Sequence, residues 1–159
     1  PTSSALLTGL ASLREMQGKY QEATDLYRRD ISQGGGGVAT LNNLAWLMAL
    51  TNDKPSAALE LISRAISRGG PLPTLLDTRG VVYLKAGDTP RAIEDLERAS
   101  SLDPTGAKYF HLSQAYLQAG KKDAAIQALA KSRAKGLKLD LHALEMTAHQ
   151  QILNELDQH

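Results

Sequence analysis

Apolar residues along this chain recur every three or four positions in stretches of about a dozen, and breaks containing glycine, proline or asparagine separate the stretches. That spacing gathers the apolar positions on one helix face, while the alternating Val/Ile/Thr runs that build strands are absent. The pattern also repeats. Ala58-Leu59-Glu60-Leu61-Ile62-Ser63-Arg64-Ala65 aligns with Ala92-Ile93-Glu94-Asp95-Leu96-Glu97-Arg98-Ala99 at an offset of 34, with six of eight positions identical or exchanged between aliphatics. A further copy, from Ala125 to Ser132, follows 33 residues later, and the earliest, from Ala23 to Asp30, precedes by 35.

A second set of columns runs ahead of the first. Small residues Ala11, Ala45, Gly80 and Ser113 recur at offsets of 34, 35 and 33, and Tyr83 and Tyr116 lie three residues beyond the last two. Gly18, Gly87 and Gly120 then stand where a helix ends on a left-handed residue. The second copy lacks that glycine and uses Thr51-Asn52-Asp53-Lys54-Pro55, with Pro55 suited to a helix start. Each unit is therefore a pair of amphipathic helices of roughly 13 residues, too small to bury its apolar faces alone. Stacked neighbours share one core, with the small columns at the helix crossings.

This pattern resembles the tetratricopeptide repeat. Its third copy reads Leu76-x-x-Arg79-Gly80-x-x-Tyr83, then Ala92-x-x-x-Leu96, then Leu102-Asp103-Pro104, similar to the family's W-x-x-L-G-x-x-Y…A-x-x-x-F…P at matching spacing. The resemblance spans Ser4 to Lys135 and is of the bacterial type. It implies an all-α, right-handed α-solenoid with hairpins at about 4–32, 38–68, 73–103 and 106–135, an array over 1–136, and a capping helix over 137–159. Arg79 takes a slot usually aliphatic; a snorkelling stem with its head on a carboxylate is the expected solution. The runs Gly34 to Gly37 and Gly69-Gly70-Pro71 read as flexible joints.

Past Gly136 the repeat is lost. Leu141, Leu144, Ala148, Ile152 and Leu156 form one helical stripe facing Glu145, Thr147, Asn154 and Glu155, as a solenoid cap requires. Met146 and Leu153 make a second apolar line, a wide buried face or a self-association surface.

Composition narrows the functions. A formal net charge of +1 gives no general case for nucleic acid, and no aromatic interleaving accompanies the basic run Lys121-Lys122…Lys131…Arg133…Lys135…Lys138. With no cysteine there are no disulfides, thiolate metal sites or cysteine nucleophiles. No apolar run reaches the ~18 residues of a membrane span. The start at Pro1, without methionine, is expected of a segment from a longer bacterial protein, and compartment is left unassigned.

Enzyme chemistry finds no support. Gly34 to Gly37 lack the Lys-Ser/Thr ending of a phosphate loop. His142 and His149 are seven apart, not the three or four of helical metal ligands, and His111 has Ser113 nearby but no evident orienting acid. No cofactor and no metal are expected.

The resemblance implies that the first helix of each hairpin lines a concave groove for a peptide or partner domain. Rotating away from the packed columns gives Thr8 and Ser12, then Asn42, Trp46 and Ala49, then Asp77, Val81 and Lys85, then Phe110, Gln114 and Gln118. The Lys/Asn/Arg carboxylate clamp of chaperone-binding repeats is missing from these slots. Val38 to Ala45 resembles kinesin light-chain-type repeats instead, implying that Asn42 meets a peptide backbone. Among these residues the binding set is Asn42, Trp46, Asp77, Val81, Lys85, Phe110 and Gln114, with Val81 and Phe110 extending an apolar strip from Trp46. Packing of Trp46 between the first two hairpins is the competing placement. The function expected is a protein–protein interaction scaffold or adaptor. The alternative is a structural spacer or self-association segment of a larger protein.

Overall fold

The computed structural model describes residues 2–136 and 141–157, and these are all-α. Four helical hairpins follow one another: α1 (Ser4–Met16) with α2 (Tyr20–Ser32), α3 (Val38–Leu50) with α4 (Pro55–Gly69), α5 (Pro73–Lys85) with α6 (Thr89–Leu102), and α7 (Gly106–Gln118) with α8 (Lys122–Ala134). A 3-10 turn (Ala143–Glu145) leads into α9 (Met146–Asp157). The chain forms two compact units, one ending at Pro71 and one starting at Leu72, so each holds two hairpins and the second also holds α9.

Both small columns are buried: Ala11, Ala45, Ser113, Ala23, Ala58, Ala92 and Ala125 are all fully covered. At Gly80 the approach is closest, because a Cβ there would lie 2.5 Å from Leu96 Cγ and 2.8 Å from its Cδ2. Even Gly80→Ala is therefore overpacked and should cost about 1–3 kcal/mol in a denaturant titration. The same change at Gly9 of α1 meets nothing within 4 Å and should stabilise, since glycine in a helix interior costs roughly 0.5–1 kcal/mol against alanine. Equal effects at the two positions would contradict the helix contacts.

Hairpin turns follow the sequence. Gly87 has φ +80, donates its N–H to Leu84 O at 3.1 Å, and Asp88 N–H reaches back to Tyr83 O at 2.9 Å, which satisfies the last carbonyls of α5. The glycine-less turn makes the same bonds with Asn52 at φ 54, Asn52 N–H to Ala49 O and Asp53 N–H to Met48 O. Asparagine is the residue that best replaces glycine there.

The first glycine run is a correction to the sequence reading. Rather than a loose joint, it wraps the buried carboxylate of Asp30, which is 1% exposed. Asp30 Oδ2 accepts from Gly36 N–H at 3.1 Å, Thr40 Oγ1 at 2.7 Å and Ser4 Oγ at 2.9 Å. A Cβ at Gly35 would fall 2.1 Å from Asp30 Oδ1, so glycine is needed there for close approach rather than for freedom. Arg68 of α4 also donates to Gly36 O, fixing the run from its other side.

The terminal helix needs correcting too. It begins at Met146, after a 3-10 turn, so Leu141 and Leu144 precede it. His142 Nδ1 accepts from Leu144 N–H, and His142 N–H donates to Glu145 Oε2 at 3.0 Å, a reciprocal cap that turns Glu145 inward. Ile152 and Leu156 join Phe110, Ala125 and Leu129 in one core, with Tyr116, Leu117, Leu141 and Leu153 packed around it. The parts of the expected helix at 137–140 and 158–159 lie outside the described residues.

Candidate functional site

In the first unit, α1 turns its polar stripe inward and spends it there. Thr8 Oγ1 lies 2.8 Å from Thr40 Oγ1, and Ser12 Oγ lies 3.2 Å from Tyr27 Oη, so both first-hairpin groove candidates are engaged inside the chain. Tyr27 is fully buried and donates to Glu15; burial first, then that carboxylate, push its hydroxyl pKa up to about 12.

From Tyr27 a chain of side-chain amides runs out along α3. Asn43 Nδ2 donates to Tyr27 Oη at 3.3 Å, and Asn42 Nδ2 donates to Asn43 Oδ1 at 3.3 Å. This fixes the Asn42 amide and leaves its Oδ1 out of contact with solvent and without a hydrogen-bond partner. An acceptor in that state costs about 1–3 kcal/mol. Trp46, one turn further along α3, is half-buried, and Ala49 is buried. A separate cleft of about 440 Å³ on the opposite side of α3 is lined by Leu44 and Met48 together with Arg28, Ile31, Lys54 and Leu61.

In the second unit the expected groove residues diverge. Lys85 and Gln118 are exposed and Gln114 is half-buried, but Val81 is 3% exposed and Phe110 is fully covered. Phe110 belongs to the core that receives α9, with the His149 ring edge-on at 5.4 Å. The apolar strip expected from Val81 and Phe110 is thus not a surface: α9 needs an apolar seat on α7, and Phe110 supplies it.

Asp77 is committed to a buried cluster instead. His111 is 1% exposed, with Nδ1 2.8 Å from Asp77 Oδ1 and Nε2 2.8 Å from Glu145 Oε1. Ionised carboxylates only accept, so both ring nitrogens must donate and the ring is an imidazolium. Burial disfavours that charge, but the Asp77 charge and the bonds from both carboxylates outweigh it and raise the pKa to about 10. Glu145, also penalised by burial, is held below its ordinary value by His111 and by His142 N–H. The cluster joins α5, α7 and the turn before α9. Sequence reading saw no acid for His111 and placed Glu145 on the outer face; both are corrected here. Ser113 does not join it, since its hydroxyl donates to Phe110 O.

Arg79 meets the expected carboxylate, with Nε and Nη2 on Asp95 at 2.6 and 2.8 Å. Among the described residues no group of His, Asp and Glu is arranged to hold a metal ion. No described helix is long and apolar enough to cross a membrane.

Two sequence models of one family match the chain, both described as tetratricopeptide repeat, over residues 6–39 and 78–136, more than half its length together. The chain belongs to the tetratricopeptide-repeat family. Solved structures agree on the fold. MamA superposes with a TM-score of 0.68 at 22% identity over 87% of this chain and 81% of MamA. YrrB, described as a TPR protein with an unusual peptide-binding site, gives 0.68 at 17% over 93% and 75%. The APC/C heterotetramer Cut9-Hcn1 gives 0.74 at 20%, with 96% of this chain matching 33% of that one. No curated protein sequence matches. Tetratricopeptide-repeat proteins are generally non-enzymatic interaction scaffolds, so a general protein–protein interaction role follows for this one. Its partners are accordingly proteins.

Proposed function

We propose that this tetratricopeptide-repeat chain is an adaptor that holds an extended peptide segment of its partner along α3. The observation that carries this reading is the half-buried Asn42 amide, held in orientation by Asn43 and Tyr27 one turn before the half-buried Trp46. A side-chain amide on the helix surface can pair with the backbone of an extended ligand, which brings both N–H and C=O groups. Trp46, one turn on and half-buried, supplies the large aromatic contact that dominates many interfaces. YrrB, a tetratricopeptide-repeat protein of similar fold, is described as having a peptide-binding site, which supports a peptide as the class of ligand. Asp77, Val81 and Phe110 are left out of the proposed site because the fold of the second unit uses them.

The test is a displayed library of extended peptides selected on the chain, followed by Asn42→Ala and Trp46→Ala. Each substitution should weaken the selected peptides by tenfold or more, about 1.4 kcal/mol. Melting should shift little, and tryptophan emission should change on binding. Loss of several kcal/mol of stability in Trp46→Ala with peptide binding unchanged would show that Trp46 is a packing residue and end the proposal.

A further inference from the structure

The cleft of about 440 Å³ beside α3 has counterparts in the later hairpins, and there it is filled. Leu44, Met48, Ala57 and Leu61 in the second hairpin correspond to Arg79, Tyr83, Arg91 and Asp95 in the third, and to Leu112, Tyr116, Ala124 and Ala128 in the fourth. In the third these positions satisfy one another: Arg79 is bonded to Asp95, and the Arg91 guanidinium lies 4.7 Å from the Tyr83 ring centre. In the fourth, Tyr116 bridges to Glu97 of the preceding helix, and the space left is about 110 Å³. Met48 has no hydroxyl to make that bridge, and the residue in the place of Glu97 is Arg28. The second hairpin therefore keeps open an apolar cleft that the later ones close. Both its walls, α2 and α4, are in place, so the opening does not come from an end of the array.

The rim of the cleft is charged. Arg28 and Lys54 stand at one end, where Arg28 meets Asp53 at 3.4 Å, and Glu60 stands about one and a half turns further along α4. Lys54 forms no ion pair among the described residues. It also holds φ 44, whereas Lys19, Asp88 and Lys121, which precede the other second helices, lie near −90. A lysine kept in the left-handed region is strained, and such strain gathers at binding sites. We propose that this cleft is a second protein-docking site, on the opposite side of α3 from Asn42 and Trp46. It receives a large apolar side chain from a partner segment that carries a carboxylate beside it. The volume is that of ligand-binding clefts. Ile31 and Leu61 flank the entering side chain above Leu44 and Met48, whose unbranched thioether adapts to what enters. Lys54 and Arg28 meet the carboxylate, and Glu60 repels acid from the far end, which fixes the direction of the segment.

The experiment is fluorescence anisotropy with labelled peptides that carry a central Leu, Ile or Phe and an Asp-Glu pair on one side. Replacing the centre by Ser, or the acids by Lys, should in each case weaken binding at least tenfold. With isotope-labelled methionine methyl groups, the Met48 signal should shift on binding while those of the exposed Met16 and Met146 stay in place. Met48→Tyr restores the residue of the third and fourth hairpins. It should keep the fold and weaken the acidic peptides at least tenfold, yet leave peptides selected through Asn42 and Trp46 unaffected, so the two sites fail separately. Lys54→Gly should raise the melting temperature by relieving the left-handed strain and lower the affinity for acidic peptides, two opposite changes that a purely structural lysine does not give. Binding that survives Met48→Tyr, that is equal for the lysine-flanked peptides, or that is absent from every set overturns the inference.

Discussion

His111→Ala is expected to destabilise the second unit by about 3–5 kcal/mol, the usual consequence of leaving buried charge without its partner. Asp77 and Glu145 would then face each other across the space of a lost ring, with Glu145 only 5% exposed and its other oxygen already committed to His142 N–H. A control separates the charge from the volume. Replacing all three members together, Asp77→Leu with His111→Leu and Glu145→Met, removes every buried charge and should recover most of the loss, because buried ionic clusters exchange for apolar packing at little net cost. Equal losses in the single and triple variants would mean that the cluster matters only as packing.

The same cluster sets a pH dependence of definite sign. The folded-state pKa of His111 is raised to about 10 from an ordinary 6.5, so its contribution is complete below about pH 6.5 and disappears as pH rises through about 10. Stability should fall across that window by at most roughly 1.4 kcal/mol per pH unit. Measurements between pH 6.5 and 9.5 stay below about 10, the ordinary tyrosine value, from which Tyr27 and Tyr116, raised to about 12, would add a loss of their own. The triple variant should be flat over this window. A wild-type melting temperature that stays constant from pH 7 to 9.5 would show that the imidazolium is not held.

Why this cluster escaped the sequence while the hairpins did not comes down to redundancy. Ala11, Ala45, Gly80 and Ser113 state one constraint four times, and any one of them could be lost without hiding the helix crossing. His111, Asp77 and Glu145 occur once each, come from three elements and meet only in the folded chain. The groove columns were read from helix rotation alone. Rotation places Phe110 in register with Thr8, Asn42 and Asp77, but it carries no information about α9, which closes over Phe110. A signal was available nonetheless: a lone histidine between two carboxylate-bearing segments, one of them capped by His142, is a buried ion cluster waiting for a topology. Asp30 left a clearer one. Its column holds Ala65, Ala99 and Ser132 in the other copies, and an acid in a column of small residues must find donors where it is buried.

Asp30→Ala is therefore expected to cost the first unit about 3 kcal/mol, since removal of one acceptor strands several donors at roughly 1–3 kcal/mol for each that stays buried. Thr40 is 2% exposed and Gly36 is buried, so two of the three donors have no route to water, while Ser4 on the surface does. Asp30→Asn discriminates between bonding and charge. All three donors converge on Oδ2, so an amide oxygen in that place keeps every bond and loses only the charge. Its loss should be about 1 kcal/mol, the difference between a charge-assisted and a neutral set of bonds. The two forms should also part with pH. Burial raises the Asp30 pKa, but the bonds from Thr40, Ser4 and Gly36 N–H outweigh it and hold the carboxyl below its ordinary value of 3.8. A depressed folded-state pKa contributes stability that is complete above the unfolded value and is lost as pH falls through the folded one. Acid unfolding of the wild type should therefore carry a component below about pH 4 that Asp30→Asn lacks, read by circular dichroism during acid titration. If the alanine and asparagine variants lose stability equally, the glycine run is held by its backbone and Arg68 alone, and the carboxylate is not what orders it.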